Sequence, residues 1–147
     1  MDLWDFQSVE ELQKQTKDFP DTILKEQITL LGGKTDYKLY GKAVFLRIDT
    51  TNIPYRIATM FNVVVPALDN YEKTLLIMYS NPETEYPVAL TLGSSFEDDC
   101  ESFAPDYVCS DKKEFVEAVK EILASAKVLN VIQMLFSKAS MYPVEYE

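Results

Sequence analysis

The chain has 147 residues, a formal net charge of −10 and no histidine. A chain of this length buries roughly 68–70% of its unfolded surface on folding, so one domain spanning 1–147 can build a core without metal or disulfide staples. The missing histidines exclude Ser-His-Asp and Cys-His catalysis and imidazole metal sites. The charge opposes nucleic-acid phosphates and anionic membranes, and it attracts basic partners.

From the N-terminus, Asp2, Asp5, Glu10 and Glu11 occupy a stretch where a secretory signal would need basic residues and then an apolar run. No uncharged stretch approaches the roughly 18 apolar residues of a membrane span. We therefore expect a cytoplasmic protein with no membrane association. Cys100 and Cys109 are too few for a disulfide framework, so reduced thiols are expected, with a Cys100–Cys109 bridge as the alternative.

Ser8-Val9-Glu10-Glu11 has the form of a capping box. It predicts a short helix ending before Pro20. Asp21 opens a second helical stretch in which Ile23, Leu24, Ile28 and Leu31 fall near one face. Gly32-Gly33 reads as its stop, so the N-terminal helices occupy 8–31. The triplet Gly33-Lys34-Thr35 resembles the end of a phosphate-binding loop. Ile28 stands where that motif needs glycine, and the segment follows a helix instead of a strand, so a helix stop and turn is the better account.

Residues 36–92 predict four strands. Tyr40, Val44, Leu46 and Ile48 share one parity, as do Tyr55, Ile57, Phe61, Val63 and Val65. Thr74 to Tyr79 is almost wholly apolar and reads as central. Val88, Leu90 and Leu92 alternate with Ala89 and Thr91. Period-two alternation is the mark of a half-buried sheet. The short links at 51–54, 69–70 and 81–82 imply an antiparallel meander, because parallel returns need long crossovers.

Residues 93–111 read as an acidic loop. Glu97, Asp98, Asp99, Glu101, Asp106 and Asp111 lie there without a lysine or arginine. Phe96, Phe103 and Tyr107 are interleaved with them. Aromatic rings anchor protein contacts and charges steer them, so Asp98, Asp99, Glu101, Phe103 and Tyr107 form the candidate partner-binding surface. The alternative is that the rings pin the loop to the core. The loop lacks the ligand spacing of a calcium site, and close CxxC pairs for zinc are missing. No metal or cofactor is expected. Carboxylate catalysis by Glu97, Asp98, Asp99 and Glu101 is an alternative that the abundance of acidic residues weakens. Acidic neighbours disfavour a reactive thiolate at either cysteine.

Asp111 caps the C-terminal helices, 112–138. Phe115, Val116, Val119, Ile122 and Leu123 share one side of the first. In Val128 to Phe136, too many residues are apolar for a single helical face. Val128, Val131, Leu135 and Phe136 are therefore candidates either for core burial or for an oligomer interface.

Two stretches resemble a family of small uncharacterised bacterial α+β proteins. One is Val65-Pro66-Ala67-Leu68-Asp69-Asn70-Tyr71 with Glu85-Tyr86-Pro87-Val88. The other is Cys109 with Glu114-Phe115, Lys120-Glu121-Ile122-Leu123-Ala124-Ser125 and Val131-Ile132. The resemblance spans 35–138 and implies the order helix, meander, acidic loop, helix pair. It transfers no functional residue.

The expected fold is a two-layer α+β domain, a four-stranded antiparallel meander packed against N- and C-terminal helices. The expected function is a non-catalytic, acidic protein-binding module, immunity- or antitoxin-like toward a basic partner. The alternatives are a small-ligand or enzymatic domain with a pocket between sheet and helices, for which Arg47, Arg56 and Tyr79 are candidate wall residues, and a structural homodimer.

Overall fold

In the computed structural model, which describes residues 1–93 and 103–142, the capping residues act as caps. Ser8 Oγ accepts from the Glu11 N–H at 3.2 Å, and Glu11 reaches back to the Gln7 N–H at 2.8 Å. They open α1 (Val9–Gln15), which buries none of its residues. α2 (Pro20–Lys34) starts on a proline, whose missing N–H is no loss in a first turn. It runs through Gly32-Gly33 instead of stopping there. The stop is Thr35, whose hydroxyl lies 3.0 Å from the Leu31 and Leu39 carbonyl oxygens and accepts from the Leu39 N–H at 3.2 Å. Asp36 and Tyr37 then turn the chain at positive φ, 52° and 60°.

The sheet comprises β1 (Tyr40–Arg47), β2 (Ile57–Val65), β3 (Tyr71–Ser80), β4 (Val88–Leu92) and β5 (Tyr107–Cys109). The strands lie in chain order, and every neighbouring pair is antiparallel. The meander and α+β class are as expected; the strand count is not. The fifth strand lies inside 93–111, where a loop was expected. Three residues are too few to display an alternation. Pairing of Tyr107 with Leu90 and of Cys109 with Val88 makes the strand. α3 (Lys112–Leu123) and α4 (Ala126–Met141) follow, capped by Asp111 on the Glu114 N–H at 2.9 Å and by Ser125 on the Val128 N–H at 3.2 Å.

Cross-strand partners share a face, so the registers sort the side chains. One face carries Phe61 and Val63 of β2, Leu76 and Met78 of β3, Val88 and Leu90 of β4, and Cys109 of β5. These form the main core with Leu24 and Ile28 of α2, Phe115, Val119 and Ile122 of α3, and Val128, Leu135 and Ala139 of α4. Val128, Leu135 and Ala139 recur at the spacing of one helical stripe. Val128 and Leu135 thus belong to the core and are not available as an oligomer interface. Val131 is partly buried against the same core, and Phe136 and Leu129 are exposed. Gly41 of β1 lies under α2 so closely that an added Cβ would stand 2.3 Å from the Ile28 carbonyl oxygen.

The opposite face holds a second cluster. Ala58, Met60, Ile77, Tyr79 and Ala89 are covered by Ile48, Ile53 and Tyr55 of the β1–β2 link and by Phe103. Phe103 meets Tyr79 and Tyr55 edge-on, with ring centroids 4.8 and 5.8 Å apart. Further along this face the surface becomes polar. Thr74 donates to Asn62 at 2.7 Å, Asn62 to Glu72 at 3.2 Å, and Lys42 pairs with Glu72 at 3.3 Å.

Candidate functional site

Of the expected partner surface, Phe103 and Tyr107 lie among the described residues, and they do not share a face. Asp98, Asp99 and Glu101 lie outside them. Phe103 packs into the second cluster, whereas Tyr107 pairs with Leu90 on the helix-covered face. The Tyr107 hydroxyl donates to the Glu121 carboxylate, which holds the phenol protonated above its usual range. The two rings thus face opposite sides of the sheet.

The candidate wall residues of a sheet–helix pocket are likewise committed elsewhere. Arg47 is exposed and pairs with Asp49 at 3.2 Å. Arg56 spends its guanidinium on the carbonyl oxygens of Ile48, Thr50 and Ile53 at 3.2–3.3 Å, tying down the β1–β2 link. Tyr79 lies beneath Phe103. Cys109 is a free, buried thiol, pushed up to about 11 by burial and then by the charges of Glu114 and Asp111. A thiol so far above neutrality has no thiolate to offer as a nucleophile. Among the described residues no group of three cysteine or carboxylate side chains converges to hold a metal ion, and no helix is long and apolar enough to cross a membrane.

Among the described residues, two cavities are of similar size. The first, about 340 Å³, is a groove between α2 and α3 with apolar walls from Ile23, Val116, Val119 and Leu123, and with Gln27 and Lys120 as its polar residues. The second, about 330 Å³, opens where the start of α2 meets the ends of β2 and β3 and the β3–β4 turn. Phe19, the N-cap residue of α2, and Ile57, the first residue of β2, supply apolar wall. Ser80 and Thr84 supply hydroxyls, and Asp21, Glu83 and Glu85 supply carboxylates; no lysine or arginine lines the cavity. The turn is anchored where the Arg56 N–H lies 3.1 Å from Asn81 Oδ1 and 3.2 Å from the Ser80 carbonyl oxygen.

The electrostatics of this second pocket are one-sided. The three described ion pairs, Lys42–Glu72, Arg47–Asp49 and Lys112–Asp18, leave Asp21, Glu83 and Glu85 without a cation among the described residues. Asp21 sits on the exposed rim, yet neighbouring atoms strip enough water from its carboxylate to raise its pKa above the ordinary 3.8. Next to the turn, the Tyr86 hydroxyl is buried without a hydrogen-bond partner. Burial, then the charge of Glu85, pushes it up to about 12. The arrangement suits a guanidinium or ammonium group: carboxylates for charge, hydroxyls for hydrogen bonds and an aromatic ring for the cation's face.

Sequence reasoning did not find this pocket. Its acids come from positions 21, 83 and 85, which only the fold brings together. The one local signal was the polar turn Asn81-Pro82-Glu83-Thr84-Glu85. The chain matches no known protein family, and no curated protein or solved structure is similar to it.

Proposed function

We propose that the protein is a non-catalytic binding module for a basic protein partner, in the manner of an immunity or antitoxin protein that occludes a basic toxin. One observation carries the reading: a surface pocket of about 330 Å³ lined by three carboxylates, none of which meets a cation among the described residues. An arginine or lysine of the partner fills it, stacking on Phe19 and pairing with Asp21 and Glu85. The net charge of −10 draws such a partner in, accelerating encounter by about 10- to 10³-fold at low salt. The high thiol pKa of Cys109 and the commitments of Arg47 and Arg56 support a non-catalytic role.

The test uses isotope-labelled protein titrated with a peptide of alternating arginine and glycine, and with its glutamate counterpart. The arginine peptide is expected to shift amide resonances of Phe19, Asp21 and Ser80 to Glu85, with an affinity that falls as salt rises and weakens in Asp21→Asn. Equal response to both peptides, or shifts confined to other surfaces, defeats the proposal.

A further inference from the structure

A third cavity, of about 110 Å³, lies where the start of β3, the end of β4 and the start of α4 meet. Lys73 comes from β3, Gly93 follows β4 and Lys127 comes from α4, while Leu75, Leu92 and Val128 supply apolar wall. The sheet register aims Lys73. Its cross-strand partner is Val63, fully buried on the helix-covered face, and cross-strand partners share a face. Lys73 therefore projects from the side of the sheet that α4 covers. Lys127 reaches the cavity from the opposite wall. A Cβ built on Gly93 would stand 3.5 Å from Lys127 Nζ and 3.6 Å from its Cε. The lysine stem thus lies against bare backbone, at a φ of 59° that glycine adopts without strain.

The charge of this cavity runs against that of the chain. The sequence has 24 acidic and 14 basic residues, yet two cations and no carboxylate line the cavity among the described residues. Neither lysine enters one of the three described ion pairs. A surface lysine usually lays its stem on apolar surface and sends its ammonium into water. Here two ammonium groups share one small space with apolar walls. Such walls lower the local dielectric, which strengthens both their mutual repulsion and the pull of either on an anion. The acidic pocket lies at the far end of the same strand. Ser80, which lines it, is about 23 Å along β3 from Lys73.

We propose that this cavity binds a compact oxyanion, a phosphate or phosphoryl group held between Lys73 and Lys127. Two ammonium charges match a dianion and relieve their own repulsion by sharing it. Lysine binds phosphate as a point charge on a flexible stem, so two stems from facing walls can close on one tetrahedral group without the fixed fork of arginine. The volume of about 110 Å³ is well below the roughly 300 Å³ at which pockets enclose a drug-sized ligand. The cavity therefore takes the anionic group alone, as the free ion or at the end of a molecule that stays outside. It shares no lining residue with the acidic pocket, and neither reading rests on the other.

The test titrates the isotope-labelled full chain with sodium phosphate, holding ionic strength constant with sodium chloride. Saturable amide shifts are expected at Lys73 to Leu75, at Gly93, and at Lys127 and Val128. Lys73→Gln and Lys127→Gln keep most of each stem and remove its charge. Each is expected to raise the phosphate Kd by ~10-fold or more, with resonances elsewhere unmoved. Lys120→Gln, in the groove between α2 and α3, is expected to leave that Kd unchanged. A phosphoserine peptide that binds more tightly than inorganic phosphate identifies a phosphorylated partner as the source of the group, and equal or weaker binding identifies the free ion. Shifts that never saturate and match those from sodium chloride alone, saturation indifferent to both glutamine variants, or shifts confined to other residues overturn the proposal.

Discussion

The two faces of the sheet are closed by different means. Three helices, α2, α3 and α4, cover one face and interlock with side chains from all the inner strands, and Phe115, Leu76 and Leu90 reach zero exposure there. The other face is closed over part of its area by the β1–β2 link and one ring, Phe103, before it gives way to the polar run Lys42, Glu72, Asn62 and Thr74. A helix-covered core is held by many mutually supporting contacts. A loop-covered cluster depends on a few, and regions with few buried apolar contacts open first. The contrast also shows how an aromatic residue beside an acidic stretch can be spent on packing: Phe103 is part of a lid.

The largest expected effect separates the faces directly. Phe115→Ala empties a fully buried site and is expected to cost about 3–5 kcal/mol. Phe103→Ala removes edge-on contacts with Tyr55 and Tyr79 and is expected to cost about 1–2 kcal/mol. Denaturant unfolding measures both, and equal costs would break the contrast. Hydrogen exchange is expected to quicken in Phe103→Ala mainly at Ile53 to Ala58.

A second experiment probes the helix-covered face by pH. The Cys109 thiol is raised from 9.0 to about 11. Its neutral form is therefore favoured by folding, and the associated stability is complete below pH 9. Above that the unfolded chain ionises first, so stability falls as pH rises from about 9 toward 11. Cys109→Ala is expected to flatten this part of the stability–pH curve while lowering its plateau. An unchanged slope would assign the alkaline loss to other groups.

The smallest expected effect lies at the pocket. Desolvation raises the Asp21 pKa, so the contribution of its carboxyl to stability is full at low pH and lost as pH rises through the folded pKa. At pH 7, Asp21→Asn is expected to raise Tm by about 1–2 °C, and the gain should vanish on acidification. A variant that is more stable and binds the arginine peptide less well would mark Asp21 as kept for binding at a cost in stability.

Much of the fold was legible because it rests on local chemistry. The Ser8 and Asp111 caps lie within one turn of the donors they satisfy, and the alternation of β4 needs only its own five residues. The same locality hid the rest. β5 exists because Val88 and Leu90 stand beside it. α2 outlasts its glycines because the Thr35 hydroxyl bonds across a turn that sequence spacing does not display. The split of Val128 to Phe136 between core and surface follows from which side of α4 meets the sheet. The acidic pocket was the least legible, since its carboxylates converge from the start of α2, ahead of the sheet, and from the β3–β4 turn within it.

Gly41 gives this architecture a vertical reference. With the Ile28 carbonyl oxygen 2.3 Å from where a Cβ would begin, the spacing between first helix layer and sheet is dictated by a single hydrogen atom. Any heavier substituent acts as a shim beneath α2 and tilts the whole rod. Asp21 and Phe19 lie two turns away along that same rod, so even a methyl group at position 41 would reset the mouth of the pocket from a distance, without touching any residue that lines it.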